Sequence, residues 1–182
     1  MPEEHLLRPE FTQELAEKFI VGASINLISL HGQGRRRTLH DLQTLLPDSL
    51  TVQQLDLKRD PIDPVDWLSA AADSSRKTLL ILHNFDVLNE GDSNSKQFIE
   101  HLNHIGQQPN ISLLYVSESE RDSPILCELL PLPPLNVTQI MDELTRRNSG
   151  ITQSELTKRA SVISGHPAPY SALKEAVQRP PQ

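Results

Sequence analysis

The chain has 182 residues, 37% of them hydrophobic and 23% charged, which suits one domain or one core with a small appendage. Its formal net charge of -7 repels phosphate backbones and disfavours nucleic acid as a partner. Cys127 is the one cysteine, which excludes a disulfide within the chain and suits a reducing compartment. No apolar run approaches the ~20 residues that a membrane helix needs, so we expect a cytoplasmic protein without a membrane partner.

Apolar segments of helix and strand length alternate through the first two thirds of the chain. Asp63 and Pro64 are typical of a helix N-cap and first helical residue. Residues 78–82 are apolar throughout, as in a parallel strand covered on both faces. The predicted helices are 11–21, 38–46, 64–72 and 96–105, and the predicted strands are 25–28, 50–57, 78–82, 111–116 and 125–130.

This alternation predicts an α/β fold with a mainly parallel five-stranded sheet, flanked by helices and connected by right-handed crossovers. After Pro134 the pattern is helical only, with helices predicted over 137–147, from a capping box at Thr152 and Glu155, and over 169–177. We therefore predict an α/β core over residues 1–134, a helical lid over 135–178 and a disordered tail over 179–182.

Residues 25–42 (INLISLHGQGRRRTLHDL) have the outline of a phosphate-binding loop, with an apolar strand, a glycine turn and an amphipathic helix. Such a loop reads G-x-x-x-x-G-K-[ST]; its amides hold phosphates, its lysine reaches the terminal ones and its hydroxyl holds magnesium. One register places Ser29 at the first glycine, Gly34 at the second, Arg35 at the lysine and Arg36 at the hydroxyl. In that register no hydroxyl remains for magnesium.

A second register begins at Gly32, needs a shortened loop, and places Arg37 at the lysine and Thr38 at the hydroxyl. Neither register supplies a lysine, and the forked guanidinium of arginine does not replace lysine neutrally. The candidates for phosphate or nucleotide binding are Gly32, Gly34, Arg35, Arg36, Arg37 and Thr38. The arginines fit an anion site at a helix N-terminus equally as well as a solvated basic turn.

Five segments share their order with a known class of proteins: LISLHGQGRR, TLLILHNFDVL, ISLLYVSES, LLPLPPLNVTQIMDEL and ISGHPAPYSAL. In this order they resemble the P-loop ATPases of the AAA+ and signal-transduction (STAND) class. The resemblance implies a P-loop NTPase-like sheet with a helical lid, and ATP or ADP as possible weak ligands. It also implies a partner protein that serves as effector or sensor.

In the second motif of that class, this chain differs at the positions of the catalytic residues. The class has an aspartate on the metal side and a glutamate that activates water, whereas this chain has His83 and Asn84 there. Asp86 retains the later acidic position, and Ser117 and His166 stand at sensor-like positions. A neutral imidazole and an amide supply neither the negative charge nor the base for magnesium-dependent hydrolysis.

These departures lead to no assigned catalytic residue and no metal site, since the histidines and Cys127 lack a convincing ligand set. We expect a catalytically inactive ATPase-like domain that acts as a protein-interaction or regulatory module. The alternative is a switch that binds ATP or ADP with little hydrolysis. An active NTPase using Thr38, Asp86 and Glu118 ranks last, and the sequence leaves the oligomeric state open.

Overall fold

The computed structural model describes residues 5–72, 75–88, 92–119, 127–147 and 150–178. The chain forms two compact units. The sheet unit consists of Glu14–Leu30 and Leu45–Leu132, and the helical unit consists of Met1–Gln13, His31–Thr44 and Pro133–Gln182. The domain boundaries proposed from the sequence stay predictions, and the tail over 179–182 lies outside the described residues.

Five parallel strands form the sheet, in the order β2-β3-β4-β1-β5. Their bounds are β1 (Ile25–Ile28), β2 (Thr51–Asp56), β3 (Thr78–His83), β4 (Ile111–Ser117) and β5 (Glu128–Pro131). β3 and β4 are buried along their whole length, as their continuous apolar runs predict. The predicted five-stranded parallel sheet of an α/β fold is confirmed.

The last strand differs from its prediction in position and in burial. We predicted a buried strand over 125–130, but β5 is Glu128–Pro131 and is largely exposed; residues 125 and 126 lie outside the described part. The reason is its place in the sheet, because β5 pairs with β1 alone and forms an edge. An apolar run does not by itself distinguish an edge strand from an interior one.

Two helices of the sheet unit are α3 (Pro64–Ala72) and α4 (Ser93–Gly106), and a short 3-10 helix covers Phe85–Val87. Asp63 caps α3 as predicted, since its carboxylate accepts the N–H groups of Val65 and Asp66. Residues 89–91, between the 3-10 helix and α4, lie outside the described residues. The core of this unit is apolar and continuous, and it includes Leu55, Leu68, Leu80, Leu82, Phe85, Phe98, Leu102, Leu113 and Tyr115.

The helical unit contains α2 (Arg35–Leu45), α5 (Val137–Arg147), α6 (Gln153–Ser164) and α7 (Pro169–Gln178), while α1 (Pro9–Ile20) has residues in both units. α2 begins three residues before its predicted start at residue 38, so Arg35, Arg36 and Arg37 form its first turn. The core of the unit consists of Leu7, Leu135, Ile140, Leu144, Leu156, Ala160, Ile163 and Leu173. Among the described residues, no helix is long and apolar enough to cross a membrane.

Candidate functional site: the glycine loop and the strand ends

The glycine loop, residues 31–34, precedes α2 in the helical unit. Gly32 and Gly34 have backbone φ angles of +87° and +84°, which residues other than glycine rarely adopt. The carbonyl of Gly32 accepts the N–H of Tyr170 at 2.9 Å and that of Ser171 at 3.3 Å. The sequence predicted a glycine turn here, but it did not indicate that the first turn of α7 bonds to it.

Arg8 is the largest fully buried side chain of the helical unit, at 1% exposure. Its guanidinium donates to the carbonyl of Gln33 at 2.7 Å, to the hydroxyl of Thr38 at 2.9 Å and to the carbonyl of Pro133 at 2.9 Å. Burial lowers the pKa of Arg8 to about 10, which leaves the group cationic at neutral pH. The Thr38 hydroxyl, our candidate for magnesium, is thus bonded to a fixed cation.

The first-turn arginines of α2 have three different environments. Arg35 is buried, and its guanidinium lies 3.1 and 3.2 Å from the two ring nitrogens of His31. Arg36 is exposed. Arg37 donates to both carboxylate oxygens of Asp41, at 3.0 and 3.1 Å, and is therefore engaged within its own helix.

Glu143 on α5 is the centre of an ion cluster and has 0% side-chain exposure. Its Oε1 accepts from Arg37 at 2.6 Å, from Arg146 at 2.6 Å and from Arg147 at 2.9 Å. The ring of His5 lies 3.3 Å from its Oε2. One carboxylate therefore joins α2 to α5 through an ion pair that the sequence alone did not predict.

Burial by itself would raise the pKa of Glu143, but hydrogen bonds from Arg146, Arg147 and Arg37 outweigh it and lower that pKa to about 2. Burial likewise opposes the charged form of Arg37, while bonds to Glu143 and Asp41 raise its pKa above the ordinary value. Charged forms that are paired and hydrogen-bonded tolerate burial, whereas an unpaired charge does not. The cluster thus stays ionised at neutral pH.

The residues predicted at the acidic motif lie at the carboxyl end of β3 in the sheet unit. His83 is buried, with its Nε2 2.9 Å from the Oε1 of Gln54. Asn84 donates to the Oδ1 of Asp56 at 2.8 Å, and its backbone is left-handed, with φ 58° and ψ 46°. A left-handed non-glycine residue stores strain, and asparagine tolerates it better than most residues.

Other predicted residues of the sheet unit are close to the ends of neighbouring strands. Asp86 accepts the backbone N–H of Glu118 at 2.8 Å. Ser117 is fully buried; its hydroxyl accepts from Asn26 at 3.0 Å and donates to the carbonyl of Ser119 at 2.9 Å. The edge formed by the strand ends is where open α/β sheets place ligands.

The remaining predicted residues have local roles in the structure. Ser29, at the first-glycine position of one register, continues β1, because its N–H donates to the carbonyl of Ser117 at 2.9 Å. His166 accepts the N–H of Ala168 through its Nδ1 at 2.9 Å and is exposed. Within the described residues, no group of three or more histidine, cysteine, aspartate or glutamate side chains is placed to hold a metal ion.

Sequence reasoning missed Arg8, Glu143 and Asn26. Asn26 is a polar residue inside an apolar strand, and that contrast was a usable signal. For Arg8 and Glu143 no such signal exists, because both stand in charged segments that look solvated. The helical unit also contains a cavity of about 550 Å³ beside residues 5–10 and the start of α5, with Glu10 and Asp142 among its lining.

No family model matches the chain, and no curated protein matches it significantly. The fold, however, is similar to solved structures. An Aeropyrum pernix Orc1 protein in complex with DNA has a TM-score of 0.68 at 17% identity, covering 97% of this chain and 60% of that one. The Thermotoga maritima RuvB Holliday junction branch migration motor has a TM-score of 0.63 at 15% identity, covering 94% and 61%.

A Walker-type ATPase of Pyrococcus abyssi has a TM-score of 0.68 at 11% identity, covering 96% of this chain and 68% of that one. These similarities define the class of fold, a P-loop NTPase-like α/β fold. The chain spans about 60% of the length of the Orc1 and RuvB chains. At these identities the comparison establishes the fold alone.

One sequence-based expectation is wrong. We inferred from the net charge that nucleic acid is disfavoured as a partner, yet a protein of this fold, the Aeropyrum pernix Orc1, is in complex with DNA. The physical reason is that net charge averages over the surface, while binding depends on local patches.

Proposed function

We propose that this chain is an ATPase-like domain that does not hydrolyse nucleotide and acts as a protein-interaction or regulatory module. The observation that carries the proposal is the chemistry at the end of β3. The side chains there are the imidazole of His83 and the amide of Asn84. Both are hydrogen-bonded to residues of β2. Hydrolysis of a nucleoside triphosphate needs a metal-binding carboxylate and a group that orients water.

The glycine loop supports the same proposal from the helical unit. The loop has no lysine in either register, and Arg37 is held by Asp41 and Glu143. The Thr38 hydroxyl accepts from Arg8, so a cation stands beside the oxygen that magnesium would need. Two positive centres that compete for one oxygen repel each other, most strongly where burial reduces screening.

The alternative is a nucleotide-binding switch with little or no turnover, of the STAND kind. It is favoured by the positive φ angles of Gly32 and Gly34 and by the arginines in the first turn of α2. Amides and arginines at a helix start attract phosphate without any metal. Calorimetric titration with ATP and with ADP, with and without magnesium, separates this switch from a domain that binds no nucleotide. Duplex DNA is included as a ligand because of the Orc1 structure.

The proposed interaction role is tested on the helical unit. Val162 on α6 is 76% exposed, the second most exposed of the large apolar residues described. Val162→Asp alters this surface without touching the core. Cutting the chain after Pro134 is a poorer test, because it removes Glu143 and Tyr170, which hold Arg37 and Gly32.

We expect the protein to co-purify from its native host with a stoichiometric protein, and Val162→Asp to lose that protein while keeping its melting temperature. Lys158→Ala, an exposed change on the same helix, is the matched control. A native protein that runs alone, together with measurable ATP or ADP binding, would favour the switch. Sustained magnesium-dependent turnover of ATP would overturn both proposals.

A further inference from the structure

We propose that α7 covers the glycine loop and blocks access to it, as an autoinhibitory contact within the chain. In this arrangement the first turn of α7 caps itself on Gly32 and packs against both loop glycines. The inference goes beyond the proposed function, because it holds whether or not the chain binds or hydrolyses a nucleotide. It assigns the glycines to contact with a helix of the same chain.

The glycine loop satisfies hydrogen-bond donors at the start of α7. A helix leaves its first N–H groups without partners inside the helix. Pro169 has no N–H, Tyr170 and Ser171 donate to the carbonyl of Gly32, and Ala172 donates to the carbonyl of Ala168. Every donor of the first turn is therefore satisfied, two of them by the loop.

The loop also bonds in the reverse direction, to the segment that leads into α7. The side-chain amide of Gln33 donates to the carbonyl of Pro167 at 2.8 Å. Arg8 holds the carbonyl of the same Gln33 at 2.7 Å. The loop is thus fixed by α7 on one side and by the N-terminal segment on the other.

The contact between the loop and its neighbours is also steric. A Cβ added to Gly32 would lie 2.5 Å from the Cβ of Ala168, and one added to Gly34 would lie 2.9 Å from Leu7 and 3.0 Å from the ring of Tyr170. Close approach of backbone to a neighbouring element is one of the uses of glycine. At these two positions the neighbours are Ala168 and Ser171, or Leu7 and the ring of Tyr170.

A consequence follows for ligands. An anion that approaches this face of the loop meets α7, so it reaches the glycines only after α7 has left. The arrangement is an autoinhibitory contact within the helical unit. Release of α7 would then expose the loop and the first turn of α7 together.

The test uses the full chain without nucleotide, and Gly22 provides a matched control. Gly22 has a φ of +88°, like Gly32, but a Cβ there would meet nothing within 4 Å. Gly22→Ala therefore measures the cost of the backbone conformation alone. We expect Gly32→Ala to lower the melting temperature by about 5–10 °C more than Gly22→Ala does. Equal losses would overturn the proposal.

A second variant assigns the excess loss to α7. Ala168→Gly removes the nearest atom, 2.5 Å from the new Cβ, and leaves Ser171 Oγ at 3.1 Å and the Cα of residue 168 at 3.3 Å. Glycine is well tolerated at this N-cap position. The double variant Gly32→Ala with Ala168→Gly should recover most of the excess loss. If it recovers none, α7 is not the neighbour that requires glycine at this position.

Hydrogen exchange on the unaltered protein keeps the proposal testable if Gly32→Ala does not fold. We expect the amides of Tyr170 and Ser171 to be protected without ligand, and rapid exchange at both would contradict the cap. With ATP added as the probe, no binding, or binding with loss of this protection, agrees with autoinhibition. ATP binding that leaves both amides protected would show it to be wrong. Because the stability measurements contain no nucleotide or partner, their failure leaves the proposed function untouched.

Discussion

The guanidinium of Arg8 donates a 2.9 Å hydrogen bond to the hydroxyl of Thr38. One residue lies just before α1, and the other lies in the first turn of α2. The bond joins the N-terminal segment to the residue that would hold magnesium in one register of the phosphate-binding motif. The positive charge beside this hydroxyl therefore comes from Arg8, at the place where the motif would have magnesium.

Arg8→Ala should destabilise the protein, because Thr38, Gln33 and Pro133 each lose a buried donor. We expect a loss of about 3 kcal/mol in the free energy of unfolding, measured by urea denaturation. Arg8→Lys should recover only part of it, because an ammonium group lacks the planar fork that reaches three acceptors. Lys158→Ala is the control and should change stability by about 0.5 kcal/mol or less. An Arg8→Ala protein as stable as the control would show that the three bonds contribute little.

The ion cluster around Glu143 predicts a dependence of stability on pH. The pKa of Glu143 falls from its ordinary 4.5 to about 2 in the folded protein, so folding favours the ionised form. Its contribution is complete above pH ~4.5 and is lost as the pH falls through about 2. The shift corresponds to roughly 3 kcal/mol.

Glu143→Gln should therefore lower stability at pH 7 and flatten the decline between pH 4.5 and 2, as measured by urea unfolding at a series of pH values. The reason is that Arg37, Arg146 and Arg147 lose the carboxylate they share. Asp142→Asn, an exposed change next in sequence, should leave the profile unchanged. An identical profile for wild type and Glu143→Gln would contradict the role given to this cluster.

We expect an acidic residue at position 84, at the end of β3, to destabilise the protein. Asn84→Glu places a longer side chain in a left-handed backbone and sets a second carboxylate beside Asp56. We expect a loss of about 2 kcal/mol at pH 7, with a smaller loss near pH 4, where the pair shares protons. Asn84→Gly is the control for backbone conformation, since it keeps the left-handed angles without strain. The idea fails if Asn84→Glu is as stable as wild type at pH 7.

Phosphate release from ATP should stay at background with magnesium present. The physical reason is that positions 83 and 84 carry histidine and asparagine instead of carboxylates, and position 35 carries arginine instead of lysine. The assay compares wild type with Arg35→Ala and Lys158→Ala, each purified in the same way. Activity that survives in Lys158→Ala and disappears in Arg35→Ala would show a working site.

The sequence predicted the parallel sheet because continuous apolar runs can be buried only between two layers. It also predicted the α3 cap at Asp63, since capping depends on residues three positions apart. The start of α2 was predicted three residues late, because arginines in a first helical turn oppose the helix dipole. For Arg37 that cost is offset by Asp41 within the same helix and by Glu143, a tertiary partner on α5.

By itself the sequence determined the order of elements, the glycine turn and the presence of His83 and Asn84 at the end of β3. These features depend on residue type and on spacing along the chain. Only the tertiary structure decided that Arg8 and Glu143 are buried and that α7 bonds to Gly32. Several of those contacts join residues more than 100 positions apart, as between Gly32 and Tyr170 or Arg37 and Glu143. Local patterning contains no record of such pairs, because burial of a charge depends on which distant groups fold against it.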